Sequence, residues 1–298
     1  MTQNKVSLAV FGNGGFLGKP VHEAIASGAF DDKLTFPVKV LTRTPTESDD
    51  KFQYIVANLD DAHVDEIARD LTGVDTIAVL VTANAQLLEV VERIVEKVKP
   101  KLYIPSEFGF DTSKVDQYAP GVLGFKRDHA RRVRAQGIKT VQLVTSYFAS
   151  PGAFLYEWVG SVGIDEQKGT YVQRGDLDTK FAITFVPDIA KSIVSLSVLN
   201  PESIPDVVKV QSDNISFQDV INRYEKDHNV KLELAEKISI EQTTKEMNEK
   251  LASGFKLEDL FFYVHSIAAH GLDKGMSYSQ NENELINPGE SLWKWTKY

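Results

Sequence analysis

The sequence predicts an α/β fold: a doubly wound parallel sheet followed by a smaller mixed α/β region. Three observations carry this. Short apolar runs alternate with amphipathic stretches through the first half, the first run ends directly in a glycine-rich turn, and after Ser150 the alternation gives way to an aromatic-rich pattern. Strands that alternate with helices pair in parallel, because each helical crossover returns the chain to the same end of the sheet.

In chain order, residues 6–11 read as a strand and residues 16–27 carry helical spacing that stops at Gly28. Residues 38–42 and 54–56 are β-rich, and the gap between them is too short for a regular crossover helix. Residues 61–71 read as a helix and 76–81 as a buried strand. Residues 84–99 place Leu87, Leu88, Val91, Ile94, Val95 and Val98 on one face at a period near 3.6. A strand at 102–104, a helix over 122–136 and a strand at 140–144 complete the first region, residues 1–150. Pro151-Gly152 then breaks the rhythm. The second region, residues 151–298, is expected to interleave with the first. It holds a strand at 181–186, a helix at 187–199, a strand at 207–211, a helix at 217–226 and a mostly helical, charged stretch from Lys231 onward.

Composition narrows the function. The 298 residues carry 33 basic against 42 acidic side chains, a net charge of −9 that opposes binding to a phosphate backbone. With no cysteine there is no thiol chemistry, disulfide or cysteine-ligated zinc. His63, His265 and His270 show no ligand spacing, so no metal is expected. The start, Met1-Thr2-Gln3-Asn4-Lys5, lacks a secretory core, and no apolar run is long enough to span a bilayer. A cytoplasmic protein with no nucleic-acid or membrane partner is expected.

The glycine turn is the sharpest signal. Gly12-Asn13-Gly14-Gly15-Phe16-Leu17-Gly18 follows a strand and opens a helix. That context brings backbone N–H groups and a helix N-terminus to a pyrophosphate, so the fold is expected to be a Rossmann-type dinucleotide binder. After the second strand the chain reads Thr42-Arg43-Thr44, with no carboxylate until Glu47. Arg43 can fork onto the 2′-phosphate of NADP, with Thr42 or Thr44 adding a hydroxyl and Lys51 a second charge. The plainer alternative makes Arg43 a solvated loop cation.

Leu102-Tyr103-Ile104-Pro105-Ser106-Glu107-Phe108-Gly109 resembles the Pro-Ser-Glu-Phe-Gly segment of isoflavone-reductase-like proteins, in the NmrA-like branch of atypical short-chain dehydrogenases. The glycine turn, Arg43, Asn58-Leu59-Asp60-Asp61, and Phe125-Lys126 before a basic helix and Gly137-Ile138 follow in the family's order. The similarity is good over residues 5–150 and looser beyond. It implies an NADPH-binding domain, a substrate cleft beside the nicotinamide, and a lysine handling the proton, here Lys126. In agreement, the sequence contains no Tyr-x-x-x-Lys, the usual short-chain dehydrogenase pair. One departure stands: plant members tend to have a basic pair beginning four residues after the lysine, where this chain has Ala130 and then Arg131-Arg132.

Lys126 shares a helix with Arg127, Arg131, Arg132 and Arg134, and one reading adds it to that solvated stripe. Helical spacing instead groups it with Ala130 and Val133, facing inward. His129 lies one turn on and reads as a packed residue or a second cleft group. Thr82, Ser106, Phe108 and Phe148 complete the expected cofactor set, the two phenylalanines reading as rings on the nicotinamide or substrate or simply as core, while Glu107 reads as a cap on the glycine loop or a site group. The aromatic set Phe110, Tyr147, Phe148, Phe154, Trp158, Phe261, Phe262 and Tyr263 suggests a flat substrate. The leading reading is an NADPH-dependent reductase of an aromatic or conjugated small molecule, compatible with a homodimer. The alternative is a dinucleotide-sensing regulator without turnover. Such sensors typically lack the lysine. An epimerase-like reading lacks its expected tyrosine base.

Overall fold

The computed structural model describes residues 5–82, 84–156 and 158–298. The N-terminal segment read above falls mainly on residues 1–4, which lie outside the described residues. At the centre is a five-stranded parallel sheet in the order β3-β2-β1-β4-β5. It is made of β1 (Val6–Phe11), β2 (Leu34–Thr42), β3 (Phe52–Val56), β4 (Thr76–Val79) and β5 (Leu102–Ile104). A further strand, β6 (Gln142–Val144), continues the sheet: Tyr103 N–H donates to the Lys139 carbonyl at 2.8 Å, and Val141 N–H donates to the Tyr103 carbonyl at 2.9 Å.

The strands β4 and β5 and the second half of β1 are buried on both faces, as the centre of a parallel sheet requires. Alternate residues of β1 serve different cores. Leu8 and Val10 pack with α1 (Gly18–Ala26), whereas Ala9 and Phe11 pack with α2 (Val64–Asp70) and α3 (Ala85–Val98). A short helix, α4 (Thr112–Val115), precedes α5 (Gly124–Ala135), whose Val133 joins the second core. Between β2 and β3 the crossover contains no helix, as its length predicts. β2 begins four residues earlier than its apolar run, at Leu34 rather than 38. Pro37 hides that start, since it has no N–H for the ladder, and pairing jumps from Ser7↔Thr35 to Ala9↔Lys39.

From Tyr147 onward the chain builds a second region and returns to the first. β7 (Tyr147–Phe148), β8 (Ile164–Asp165), β9 (Thr170–Arg174) and β10 (Lys180–Thr184) lead to α6 (Val186–Ser197), which packs on α1. Next, β11 (Val207–Lys209) adds in parallel to β6, and β12 (Asp213–Ser216) pairs antiparallel with β10. α7 (Phe217–His228), β13 (Glu233–Ile238), α8 (Ile240–Leu251) and α9 (Leu260–Ala269) follow, around a third core that includes Phe181, Phe217 and Tyr263. The helical reading from Lys231 is therefore corrected at β13. This is an edge strand on β9 with every residue but Ile238 exposed, so its charged composition carries no strand alternation.

Candidate active site

Strand order reverses between β1 and β4, and the loops that leave these strands diverge there. In open α/β sheets this opens a crevice at the C-terminal edge. The glycine turn leaves β1 at that edge. Gly12 has φ +99°, and a Cβ there would lie 2.8 Å from Val81 Cγ1. A Cβ on Gly18 would strike the Gly12 carbonyl and lie 2.6 Å from Asn13. Gly12 is glycine because of its positive φ and the close approach of the chain leaving β4, and Gly18 because the turn and the helix approach each other too closely for a side chain. Gly14 and Gly15 differ. A Cβ on Gly14 meets nothing within 4 Å, and one on Gly15 meets only the Gly12 carbonyl at 3.5 Å and that of Leu80 at 4.0 Å. The fold leaves open space over these two residues.

That space lies at the start of α1, which has no side-chain cap and no acidic residue in its first turn. An uncapped helix start with glycines in front of it fits an anionic pyrophosphate. The other loop residues divide by role. Leu17 is packed into the core, the Asn13 side chain bonds the Tyr54 hydroxyl, and Phe16 is 47% exposed. Phe16 stacks nearly parallel to Phe148, with centroids 6.2 Å apart and planes at 12°. The structure thus brings the glycine loop to the end of β7.

At the end of β2, Thr44 N–H donates to the Thr42 hydroxyl at 3.2 Å, folding the chain around an exposed Arg43. Among the described residues Arg43 has no ion-pair partner. Lys51 is not brought there. It precedes β3, level with Val38 and far down the sheet from Thr42, and its ammonium pairs with Asp31 at 3.1 Å and donates to the Ala26 carbonyl at 3.2 Å. Its place is the opposite edge.

The loops after β4 and β5 are tied together, since the Ser106 hydroxyl donates to the Val81 carbonyl at 2.6 Å. Thr82 beside it is exposed. Phe108 is buried in the first core, so its ring packs against the sheet rather than lying open on the cleft. Glu107 does not cap the glycine loop. It is 3% exposed and accepts a 2.7 Å bond from the Thr112 hydroxyl, while its Oε2 has no hydrogen-bond partner among the described residues. Burial raises its pKa, and Thr112, the Gln142 amide and the charges of Lys126 and Arg134 pull it back.

α5 starts from Leu123, held at φ 52° in the left-handed region that ordinary side chains avoid. This abrupt start sets the helix so that His129, Ala130 and Val133 are buried and Lys126 is half-buried. Burial pushes the Lys126 pKa down, and the negative charge of Glu107 opposes the shift. His129 points away from solvent into a buried chain, with Nε2 2.7 Å from the Tyr103 hydroxyl and Nδ1 2.9 Å from Glu92. Arg132 clamps Glu92 from outside, and burial lowers the His129 pKa. His129 therefore braces the helix and is a packed residue.

Sequence reasoning missed the Thr112 and Gln142 partners of Glu107 and the buried Ser146, at φ 57°, whose hydroxyl donates to the Met276 carbonyl at 3.0 Å. An acidic residue inside an apolar strand end was the available signal for the first. None existed for the second, which depends on a contact across 130 residues. Two cavities of about 360 and 480 Å³ lie elsewhere, around Arg223 with Tyr156 and Tyr298, and around Arg174 with Glu246 and Phe262.

A five-stranded parallel sheet whose first strand runs through a glycine turn into an uncapped helix defines a Rossmann-type α/β protein. The chain belongs to the NmrA-like family, whose model matches residues 4–293. It is 26% identical over 232 residues to phenylcoumaran benzylic ether reductase POP1 of Populus trichocarpa, covering 72% of each chain. An isoflavone reductase structure superposes with a TM-score of 0.64 at 18% identity, over 90% of this chain and 87% of the other. The binary complex of leucoanthocyanidin reductase with NADPH, from Vitis vinifera, gives 0.63 at 17% identity over 88% and 86%. These structural likenesses establish the fold.

Proposed function

We propose that this protein is an NADPH-dependent reductase that delivers hydride to an electrophilic carbon of an aromatic or conjugated small molecule, with Lys126 handling the proton. The observation that carries the reading is Lys126 itself: a half-buried lysine at the start of α5, with no ion-pair partner among the described residues and a pKa pushed down by burial. Such a group exchanges a proton more readily near neutrality than a solvated lysine. Its family position and the reductases among its relatives support the same reading.

Gly14, Gly15 and the open end of α1 would hold the pyrophosphate, and Arg43 with Thr42 the 2′-phosphate. Bound there, the nicotinamide supplies the hydride. Lys126 gives a proton to the substrate atom that gains negative charge and is left as a neutral amine, the form that burial favours. In this reading residues from 151 onward form the substrate side. Phe148 meets Phe154 at 6.0 Å, Phe154 meets Trp158 at 5.4 Å, and Trp158 meets Phe261 at 6.0 Å. With Trp158 and Phe261 45% and 38% exposed, these rings, packed mostly edge to face, offer an apolar aromatic wall.

NADPH consumption against phenylpropenes, quinones and conjugated carbonyls tests the reading. Turnover of at least one class is expected. Tight NADPH binding with no turnover of any would give the lead to a dinucleotide-sensing regulator.

A further inference from the structure

The inward face of α5 is thin. The helix buries only His129, Ala130 and Val133, and it starts without a side-chain cap or an acidic residue in its first turn. The ion pair of Arg127 with Asp116 lies near the surface, where solvent screens it. Apolar contact from one alanine and one valine is non-directional and does not by itself set the roll of a helix on its sheet. His129 is different. Its ring is fully buried and held at both nitrogens, with Nε2 2.7 Å from the Tyr103 hydroxyl and Nδ1 2.9 Å from Glu92 Oε1.

These bonds have a direction. Glu92 also accepts from Arg132 Nε at 3.0 Å and Nη2 at 2.6 Å. A carboxylate can only accept, so the proton of His129 is assigned to Nδ1 and Nε2 accepts from the Tyr103 hydroxyl. The Tyr103 and His129 rings meet edge to face at 5.6 Å. Tyr103 is itself fixed in the sheet, paired with Ile77 of β4 and bonded through its backbone to Lys139 and Val141. One imidazole thus joins β5, which ends at the C-terminal edge of the sheet, to α3 and α5, which both start there. An apolar side chain of similar size would fill the same space with no polar group to satisfy, so stability alone does not call for a histidine. What the two directed bonds add is orientation.

Lys126 stands three residues before His129 on the same helix, about 4.5 Å along its axis. We propose that His129 is a positioning residue: gripped between Tyr103 and Glu92, it fixes the roll of α5 and so holds the Lys126 side chain in the cleft. Lys126 makes no ion pair among the described residues that could hold it there instead. A displacement of about 1 Å at a reacting group can cost about 10²-fold in rate. This inference rests on Lys126 being the proton donor of the proposed reduction, but its first test needs no substrate.

Competitive labelling of the lysines with trace acetic anhydride across pH, read by mass spectrometry, gives the titration of Lys126 in the intact protein. His129→Phe keeps a ring in place and removes both bonds. The Lys126 titration is then expected to rise toward the ordinary lysine value of about 10.4, because the side chain leaves its half-buried place. Its labelling at neutral pH should fall several-fold, with Lys19 and Lys51 unchanged as references. Val133→Ala opens a cavity on the same face without touching these bonds, and should lower the melting temperature while leaving the titration alone. Tyr103→Phe should shift Lys126 the same way by less, and add nothing when combined with His129→Phe. It also serves if His129→Phe does not fold. With a substrate that is reduced, His129→Phe should cut kcat about tenfold or more and leave NADPH affinity within about twofold. An unchanged Lys126 titration in folded His129→Phe, or in Tyr103→Phe if that alone folds, overturns the proposal. So does an equal shift in Val133→Ala. Full turnover in Lys126→Ala would instead sink the donor role and leave the labelling result standing.

Discussion

The two edges of the central sheet treat charge differently. At the N-terminal edge of the strands three lysines are paired with carboxylates. Lys51 pairs with Asp31 at 3.1 Å, Lys101 with Asp75 at 2.8 Å and Lys139 with Asp206 at 2.6 Å, each beside the start of a strand. At the C-terminal edge Arg43 and Lys126 have no such partner among the described residues, and the start of α1 has no cap. The sheet is the same and the side-chain types are the same. Lys51, Lys101 and Lys139 are satisfied within the chain. Where strand ends open a crevice, charges and N–H groups are left for something else to satisfy.

The strongest way to break this contrast is at the glycine turn. Gly15→Val puts a branched side chain into the open space over the loop, and dinucleotide binding should be lost. The protein should stay folded, because a Cβ at Gly15 meets nothing closer than 3.5 Å. Gly18→Ala should do the reverse and cost about 1–3 kcal/mol of stability, as overpacking does, because its Cβ strikes the Gly12 carbonyl. Calorimetry and thermal melts separate the two. A folded Gly15→Val protein that binds NADPH normally would remove the pyrophosphate from this loop.

Next in size is Lys126→Ala. General acid–base groups contribute about 10²–10⁴-fold to rate, so turnover of a competent substrate should fall by that order while NADPH affinity changes only a few-fold. The pH profile gives the sign. A lysine that must donate a proton is active below its pKa, so turnover should decline as pH rises through a pKa that burial has lowered. A decline only near the ordinary lysine value of about 10.4 would mean that the side chain is solvated.

How much of this was legible in sequence follows the same physical division. The turn and the inward facing of Lys126 are local or periodic properties, and residues 12–18 and 122–136 carry them openly. Lys51 stands apart from Arg43 because the connection from β2 to β3 carries the chain back to the start of the sheet, which proximity in sequence does not show. Sequence leaves Phe108 open between cleft and core, because an aromatic at a strand end looks the same whether it packs inward or outward. The isolation of Glu107 Oε2 depends on long-range burial, which no pattern in a short window encodes. β13 was missed for the converse reason: an exposed edge strand needs no apolar face.

Arg43→Ala should weaken NADPH binding tenfold or more and leave NADH nearly unchanged. Loss of one charge-assisted bond, worth about 1.5–3 kcal/mol, accounts for that. Equal losses for both cofactors would return Arg43 to the role of a loop cation.

Lys51→Ala should do least, and it sharpens the comparison because the same type of charge is removed from the other edge. Its ammonium is shared between Asp31 and the Ala26 carbonyl and sits 5.3 Å from the centre of the Phe36 ring. The Asp31 carboxylate is about half exposed, at 47%, so solvent screens the pair, which should be worth about 0–1 kcal/mol. A small fall in melting temperature is therefore expected, with NADPH affinity within about twofold of the parent protein because the side chain lies at the wrong end of β3. If Lys51→Ala weakened NADPH as much as Arg43→Ala while sparing NADH, the 2′-phosphate would have to reach down the sheet toward the start of β3. Such a result would contradict the assignment of the cofactor to the C-terminal edge. Equal melting points with selective NADPH loss in Arg43→Ala alone would place the recognition of that phosphate at the turn after β2.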